Sequence, residues 1–175
     1  MPKPVIPIEQ PYKPELLPVV QLAIEGLLLF GGDVFEYGSG HSTVWFARMS
    51  NPVSVEHDEE WYGEVMRSLD VANLNAAVHL VDEEDIAGVI VDYGQFDLIL
   101  VDCIDRQRMA ALEMAKEHVR PGGYLVLDDS HWKMLGKAKQ CLTGWDLSVV
   151  SGLHQRKNGD RRMHETTFYQ RPLDG

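Results

Sequence analysis

Carboxylates close several short apolar runs of this chain, and the first of them stands beside a pair of glycines. Val34-Phe35-Glu36-Tyr37-Gly38-Ser39-Gly40-His41-Ser42-Thr43 is an apolar run ending in an acid, a glycine turn and a helix-start signal. Glycines one residue apart let the backbone turn sharply and approach a ligand closely, and Ser42 or Thr43 is placed to cap the helix that follows. The free amides at that helix start would point toward a nucleotide-type ligand. A glycine turn between any strand and helix reads similarly, so the motif needs support from elsewhere. Val53-Ser54-Val55-Glu56 supplies it, a second β-prone run whose acid lies 18 positions after Gly38. That spacing suits a β-α-β unit whose second strand offers a carboxylate to ribose hydroxyls. A nicotinamide fingerprint would carry an apolar residue where Glu36 stands, and its third glycine is replaced by Thr43. A carboxylate at Glu36 suits a cationic or amino-bearing ligand better than a pyrophosphate.

Phe96-Asp97-Leu98-Ile99-Leu100-Val101-Asp102 and Arg120-Pro121-Gly122-Gly123-Tyr124-Leu125-Val126-Leu127-Asp128-Asp129 are two more buried-strand signatures ending in acid. With these four motifs in order, residues 34–129 resemble the class I S-adenosylmethionine-dependent methyltransferases. The resemblance implies a Rossmann-like, doubly wound, mostly parallel seven-stranded sheet with helices on both faces and an antiparallel C-terminal hairpin. It implies S-adenosyl-L-methionine as cofactor and methyl transfer as the reaction. Glu36, Gly38, Ser39, Gly40, His41, Ser42 and Thr43 would form the glycine-loop site around the methionine part, with Glu36 near its ammonium group. Glu56 would take the ribose hydroxyls, with His57 in the wall of the adenosine pocket or in solvent. Asp82 and Glu83, after the third strand, would contact the adenine, and Asp102 would face the reaction centre. The chain departs from the family at Ser42, where many members carry the third glycine of G-x-G-x-G.

Asp102, Asp128 and Asp129 bring three carboxylates to adjacent strand ends, where an oxygen-preferring divalent cation such as Mg²⁺ would relieve their repulsion. This resembles the metal-dependent O-methyltransferases of the catechol and caffeoyl-coenzyme A type, in which the metal binds two substrate oxygens and acidifies a hydroxyl. Cys103-Ile104-Asp105-Arg106 lacks the lysine that such enzymes often carry as base. The alternative is structural: Asp128 or Asp129 as a helix cap, and Asp102 orienting backbone or Arg106. His131 is the other candidate base, since an ordinary imidazole takes up a proton near neutrality, although a lone loop histidine is as readily surface. Trp132 is the aromatic expected to face the acceptor. No Asn-Pro-Pro-Tyr type sequence follows the fourth strand, which favours a small-molecule acceptor with an oxygen nucleophile over a nucleic acid. A non-catalytic cofactor-binding module on the same fold, or an NAD-dependent oxidoreductase, would share parts of this pattern.

The elements that must position these residues follow from periodicity. Apolar residues at helical spacing predict a helix over 15–30, with Pro18 in its first turn. Residues 42–49, 59–69 and 106–119 read as helices between strands, the second capped by Asp58 with Glu59 and Glu60 in its acidic first turn. Alternating strands and helices predict a mostly parallel sheet with its ligand crevice beyond the carboxyl ends of the strands. Beyond Asp129 the pattern gives a helix over 132–142 and strands over 145–153 and 164–170, joined by a loop with Asn158-Gly159. Residues 1–14 carry five prolines and read as an extended arm, leaving 15–175 as a single domain. With 45% hydrophobic residues in 175, the chain has enough apolar matter for one core, and its net charge of -11 argues against a general nucleic-acid binder. A local basic patch over 156–162 remains compatible with anion contact or plain solvation. Cys103 and Cys141 lack metal-ligand spacing and suit a reducing compartment without a disulfide. No stretch is long enough to span a membrane and no signal peptide is evident, so the expectation is a cytoplasmic protein, with a homo-oligomer possible.

Overall fold

The computed structural model describes residues 13–131, 138–155 and 161–173. Helix α1 (Pro18–Leu27) starts on a proline, which costs nothing at a position whose amide has no helical partner. It buries Val20 and Ile24, one turn apart, against the sheet. Strand β1 (Val34–Tyr37) follows, buried at all four positions, as expected of a central strand covered on both faces. Helix α2 (His41–Phe46), strand β2 (Val53–Glu56), helix α3 (Glu59–Ala72) and strand β3 (Ala77–Leu80) continue the alternation. Asp58 caps α3 by accepting the Trp61 amide at 2.9 Å, and Asn73 ends it in the left-handed conformation. A 3-10 segment (Glu83–Asp92) then leads to strand β4 (Phe96–Val101), helix α4 (Asp105–His118) and strand β5 (Val119–Leu127). A short helix α5 (Ala138–Cys141) precedes strands β6 (Asp146–Gln155) and β7 (Arg161–Gln170).

The seven strands form one sheet in the order β3-β2-β1-β4-β5-β7-β6. Neighbours from β3 to β5 run parallel, while β7 is antiparallel to both β5 and β6. This is the expected doubly wound, mostly parallel sheet with its antiparallel C-terminal hairpin. Strand alternation divides the core. Phe35, Tyr37, Ile99, Val101, Leu125 and Leu127 face Ala111, Leu112 and Ala115 of α4 together with Ile86 and Ile90. Val34, Leu98, Leu100, Val126 and Phe168 face Val20, Ile24 and Phe46.

Boundaries differ from the periodicity in instructive places. The helix expected over 15–30 stops at Leu27, and that expected over 42–49 begins at His41 and ends at Phe46. The 3-10 segment was hidden because its buried Ile86, Ala87 and Ile90 lie among exposed acids. Of the helix expected over 132–142, only α5 falls within the described residues, and Trp132 lies outside them. Asn158-Gly159 and most of the proline-rich arm also lie outside them, while β6 and β7 run longer than the hydrophobic pattern.

Candidate active site

Strand order reverses between β1 and β4, whose carboxyl ends lie at the same edge of the sheet. A ligand crevice belongs at such a switch point. Gly38 turns the chain out of β1 with φ 95°, and a Cβ there would lie 2.5 Å from the Asp102 carbonyl oxygen. Only glycine combines that conformation with that approach. The Gly38 and Ser39 amides both donate to the Val55 carbonyl, at 3.0 and 3.1 Å, so the loop is stitched to β2 as well. The Trp61 indole N–H donates to the Ser39 carbonyl at 2.8 Å, and its ring lies under Gly40. His41 opens α2, its ring centroid 6.0 Å from that of Trp61.

Glu36 is fully buried beneath this loop. Its Oε2 accepts from the hydroxyls of Thr43 (2.5 Å) and Ser54 (2.7 Å), and Thr43 Oγ1 in turn accepts the Gly40 amide at 2.8 Å. Gly40 is therefore the residue at the N-cap, and Thr43 reaches back from inside the helix in place of the cap expected at Ser42 or Thr43. Burial raises the Glu36 pKa, opposed by the Ser42, Thr43 and Ser54 side chains. Among the described residues its Oε1 is buried with no hydrogen-bond partner, leaving one acceptor for a further donor.

Glu56, at the end of β2, is also buried, and three donors fix its carboxylate. Oε1 accepts the amides of His57 (2.8 Å) and Asp58 (2.9 Å), and Oε2 accepts the Ser39 hydroxyl at 3.1 Å. A carboxylate has about four lone-pair sites, so an oriented acceptor remains beside the glycine loop. His57 Nδ1 stays 3.0 Å from Glu56 Oε1. Asp82 is exposed ahead of the 3-10 segment, and Glu83 pairs with Arg106 of α4.

Asp102 leaves β4 with its amide donating to the Tyr37 carbonyl at 3.0 Å. Its side chain is 37% exposed, and Oδ1 accepts from Arg108 Nη2 at 2.7 Å. Desolvation and the neighbouring Asp128 push its pKa up to about 8, with Arg108 acting in opposition. Arg108 is itself buried and donates also to the carbonyls of Cys103 (2.8 Å) and Asp128 (2.5 Å), tying the end of β4 to the end of β5.

After β5, Asp128 Oδ1 accepts from His164 Nε2 (2.8 Å) and Thr166 Oγ1 (2.7 Å), both on β7. Asp129 takes the left-handed conformation at φ 49°, which brings its Oδ1 to 3.2 Å from His164 Nδ1. Arg162 Nη2 lies 3.8 Å from Asp129 Oδ2, and the exposed His131 has its Nδ1 4.0 Å from Asp129 Oδ1. Neither acid is a cap of a described helix. Desolvation opposes the imidazolium, but the hydrogen bond to Asp128 and the charge of the nearby Asp129 prevail and push the His164 pKa up to about 10.

The structure therefore gathers Glu36, the glycine loop and Glu56 at one end of the crevice, and Asp102, Asp128, Asp129 and His131 at the other. Arg108 and His164 were not singled out from the sequence. Arg108 had a local signal, since it lies on α4 three residues after Asp105 and six after Asp102. His164 had none, because only the pairing of β7 with β5 brings it to Asp128.

The sequence matches none of the curated proteins. Among solved structures, the O-methyltransferase from Bacillus cereus in complex with SAH superposes with a TM-score of 0.70 at 19% identity, over 88% of this chain and 82% of that one. Precorrin-6y C5,15-methyltransferase from Geobacter metallireducens gives 0.68 at 12% identity, over 88% of each chain. The O-methyltransferase TomG from Streptomyces achromogenes, in complex with SAM, gives 0.65 at 18% identity, over 87% of this chain and 79% of that one. At these identities the likeness establishes the fold. A family defined as "Methyltransferase domain" matches residues 35–130, which run from β1 through the glycine loop to the acids after β5. The chain belongs to that methyltransferase domain family.

Proposed function

We propose that this chain is an S-adenosyl-L-methionine-dependent methyltransferase acting on a small molecule at oxygen. The observation that carries the reading is the Gly38 turn, pressed against Asp102 between the two buried acids Glu36 and Glu56. The residues present fit the cofactor. Among the described residues Glu36 Oε1 is a buried acceptor without a donor, and Glu56 is an acceptor held ready by three donors beside the loop. Gly38, Ser39, Gly40, His41, Ser42 and Thr43 would hold the methionine part, Glu56 and His57 the ribose side, and Asp82 and Glu83 the adenine. The bound cofactor supplies an electrophilic methyl group on a sulfonium.

The remaining work falls to the chain. In-line displacement depends on aligning the acceptor oxygen with that methyl group, so much of the rate comes from positioning. Asp102 stands at the end of β4 with its carboxyl pushed up to about 8, which lets it hold or take the acceptor proton near neutrality. Arg108 fixes its orientation. His131, exposed beside Asp129, is the second group offered to that proton. An oxygen acceptor accords with the O-methyltransferases among the neighbours.

The test is methyl-labelled S-adenosyl-L-methionine with a panel of phenols, carboxylic acids, amines and thiols. The expected result is label in an ether or ester, falling at least tenfold, about 1.4 kcal/mol of barrier, in Asp102→Asn. Label only in amines or thiols would overturn the oxygen acceptor, and no transfer to any compound would overturn the enzymatic reading.

A further inference from the structure

An edge strand offers unpaired amides and carbonyls to any other chain that can align with it. One edge of this sheet is β3, only four residues long. The other is β6, whose ten residues pair with β7 in an unbroken register from Asp146↔Gln170 to Gln155↔Arg161. Among the described residues, no backbone group of another element bonds to the outer edge of β6. The usual protections of an edge are missing from it: β6 holds no proline, no lysine and no bulge, and its one acid is its first residue. Side chains alternate between the two faces of the strand. On the even-numbered face, Val150 packs against the cluster of Val20, Ile24 and Phe168, and Leu17 lies 3.5 Å from where a Gly152 Cβ would stand. The odd-numbered face is open, with Leu147 43%, Val149 46% and Leu153 69% exposed, and Met163, opposite Leu153 on β7, 54% exposed. Four large apolar side chains on two neighbouring strands form a patch, which a surface of scattered residues does not.

The strand is complementary to itself. When two copies run antiparallel about a two-fold axis normal to the sheet, opposite residues lie on the same face, so an even-numbered position meets an even one and an odd position an odd one. With the axis at Val150, each Val150 meets its own copy, Ser148 meets Gly152, Val149 meets Ser151, Leu147 meets Leu153 and Asp146 meets His154. An apolar row then runs from Met163 and Leu153 of one subunit to Leu147 and Tyr169 of the other. The only ionised side chain of the strand stands opposite an imidazole that can donate to it. An axis at Val149 would set Leu147 against Ser151 and Asp146 against Gly152, and one at Ser151 would pair Asp146 with a position beyond the strand. We propose that β6 is the contact of a symmetric dimer of this chain, two copies pairing antiparallel about Val150 and joining their seven-stranded sheets into one. The His154 ring lies 5.5 Å from that of His164, which faces Asp128 and Asp129, so the dimer contact adjoins the acidic end of the crevice. The dimer requires no cofactor.

Sedimentation equilibrium of the full chain at micromolar concentrations reads the assembly directly, and a species of twice the 19.8 kDa chain mass is expected. Leu147→Asp combined with Leu153→Asp sets like charges opposite one another on both sides of the axis. That double variant is expected to weaken the dimer at least tenfold, with circular dichroism reporting the retained fold. Val150→Cys places two thiols on the axis, where opposite Cα atoms of an antiparallel pair lie about 4.5–5.5 Å apart, within reach of a disulfide. Oxidation is expected to link this variant into a covalent dimer, which the wild type, with Cys103 and Cys141 alone, does not form. Val149→Cys, whose two thiols are offset by two residues along the pair, is expected to stay unlinked. A monomeric wild type would overturn the proposal, as would a dimer that the folded double variant retains or that Val150→Cys fails to link. Should the double variant not fold, the cysteine variants decide: linkage through Val150→Cys alone is expected, and linkage through both or neither contradicts the axis.

Discussion

A left-handed backbone at Gly38 lets the loop after β1 touch the carbonyl of Asp102, joining the two strands that flank the switch point. Any side chain there meets both the unfavourable φ and a carbonyl oxygen that belongs to a strand end and cannot swing away. Gly38→Ala is therefore expected to cost about 1–3 kcal/mol of stability and to lower affinity for S-adenosylhomocysteine more than tenfold, read by denaturant titration and calorimetry. Unchanged stability and affinity would show that the loop does not need this close approach. Residue types alone made Gly38, Glu36 and Glu56 visible, because their roles depend on local chain geometry and short spacing. Thr43 and Ser54 were less visible as partners of Glu36, since a hydroxyl's partner depends on which strand lies beside it. Sequence reading placed Glu36 at a ligand ammonium; in the fold it lies beneath the loop, with Oε2 bonded to Thr43 of α2 and Ser54 of β2.

At the scale of elements, side chains of β7 add to the backbone pairing that joins it to β5. His164 reaches from β7 to Asp128 and Asp129, with Thr166 on the same Asp128 oxygen, Arg162 on Asp129, and the His154 ring of β6 5.5 Å from its own. Its pKa is raised to about 10 in the fold from an ordinary 6.5. The stabilisation this represents is complete below 6.5 and is lost as pH rises toward 10. Asp129, lowered, adds stability that disappears only on acidification. The melting temperature of the cofactor-free protein is thus expected to fall between pH 6.5 and pH 10, and His164→Gln is expected to flatten that fall. An equal slope in both proteins would rule out the imidazolium. None of this junction was legible in the sequence: the hydrophobic pattern gave the hairpin strands, but the register that sets His164 against Asp128 follows from long-range pairing. The parallel part was legible because alternating short apolar runs and helices of matching length leave few topologies.

At the scale of the molecule, one seven-stranded sheet collects the acids of four strands at a single edge, where Arg108 of α4 and His164 of β7 meet those of β4 and β5. The other end keeps buried acceptors beside a glycine loop, Glu36 Oε1 without a donor among the described residues and Glu56 held in place. Among the described residues, no helix is long and apolar enough to cross a membrane. The proposed division of the sheet into a cofactor end and an acceptor end stands on Glu56. Calorimetric titration of the full chain with S-adenosylhomocysteine, compared with Glu56→Ala, tests it most directly. One-to-one binding in the micromolar range is expected, weakened at least tenfold, about 1.4 kcal/mol, by Glu56→Ala with the fold retained. Absence of binding in the wild type, or equal binding by the folded variant, would contradict it.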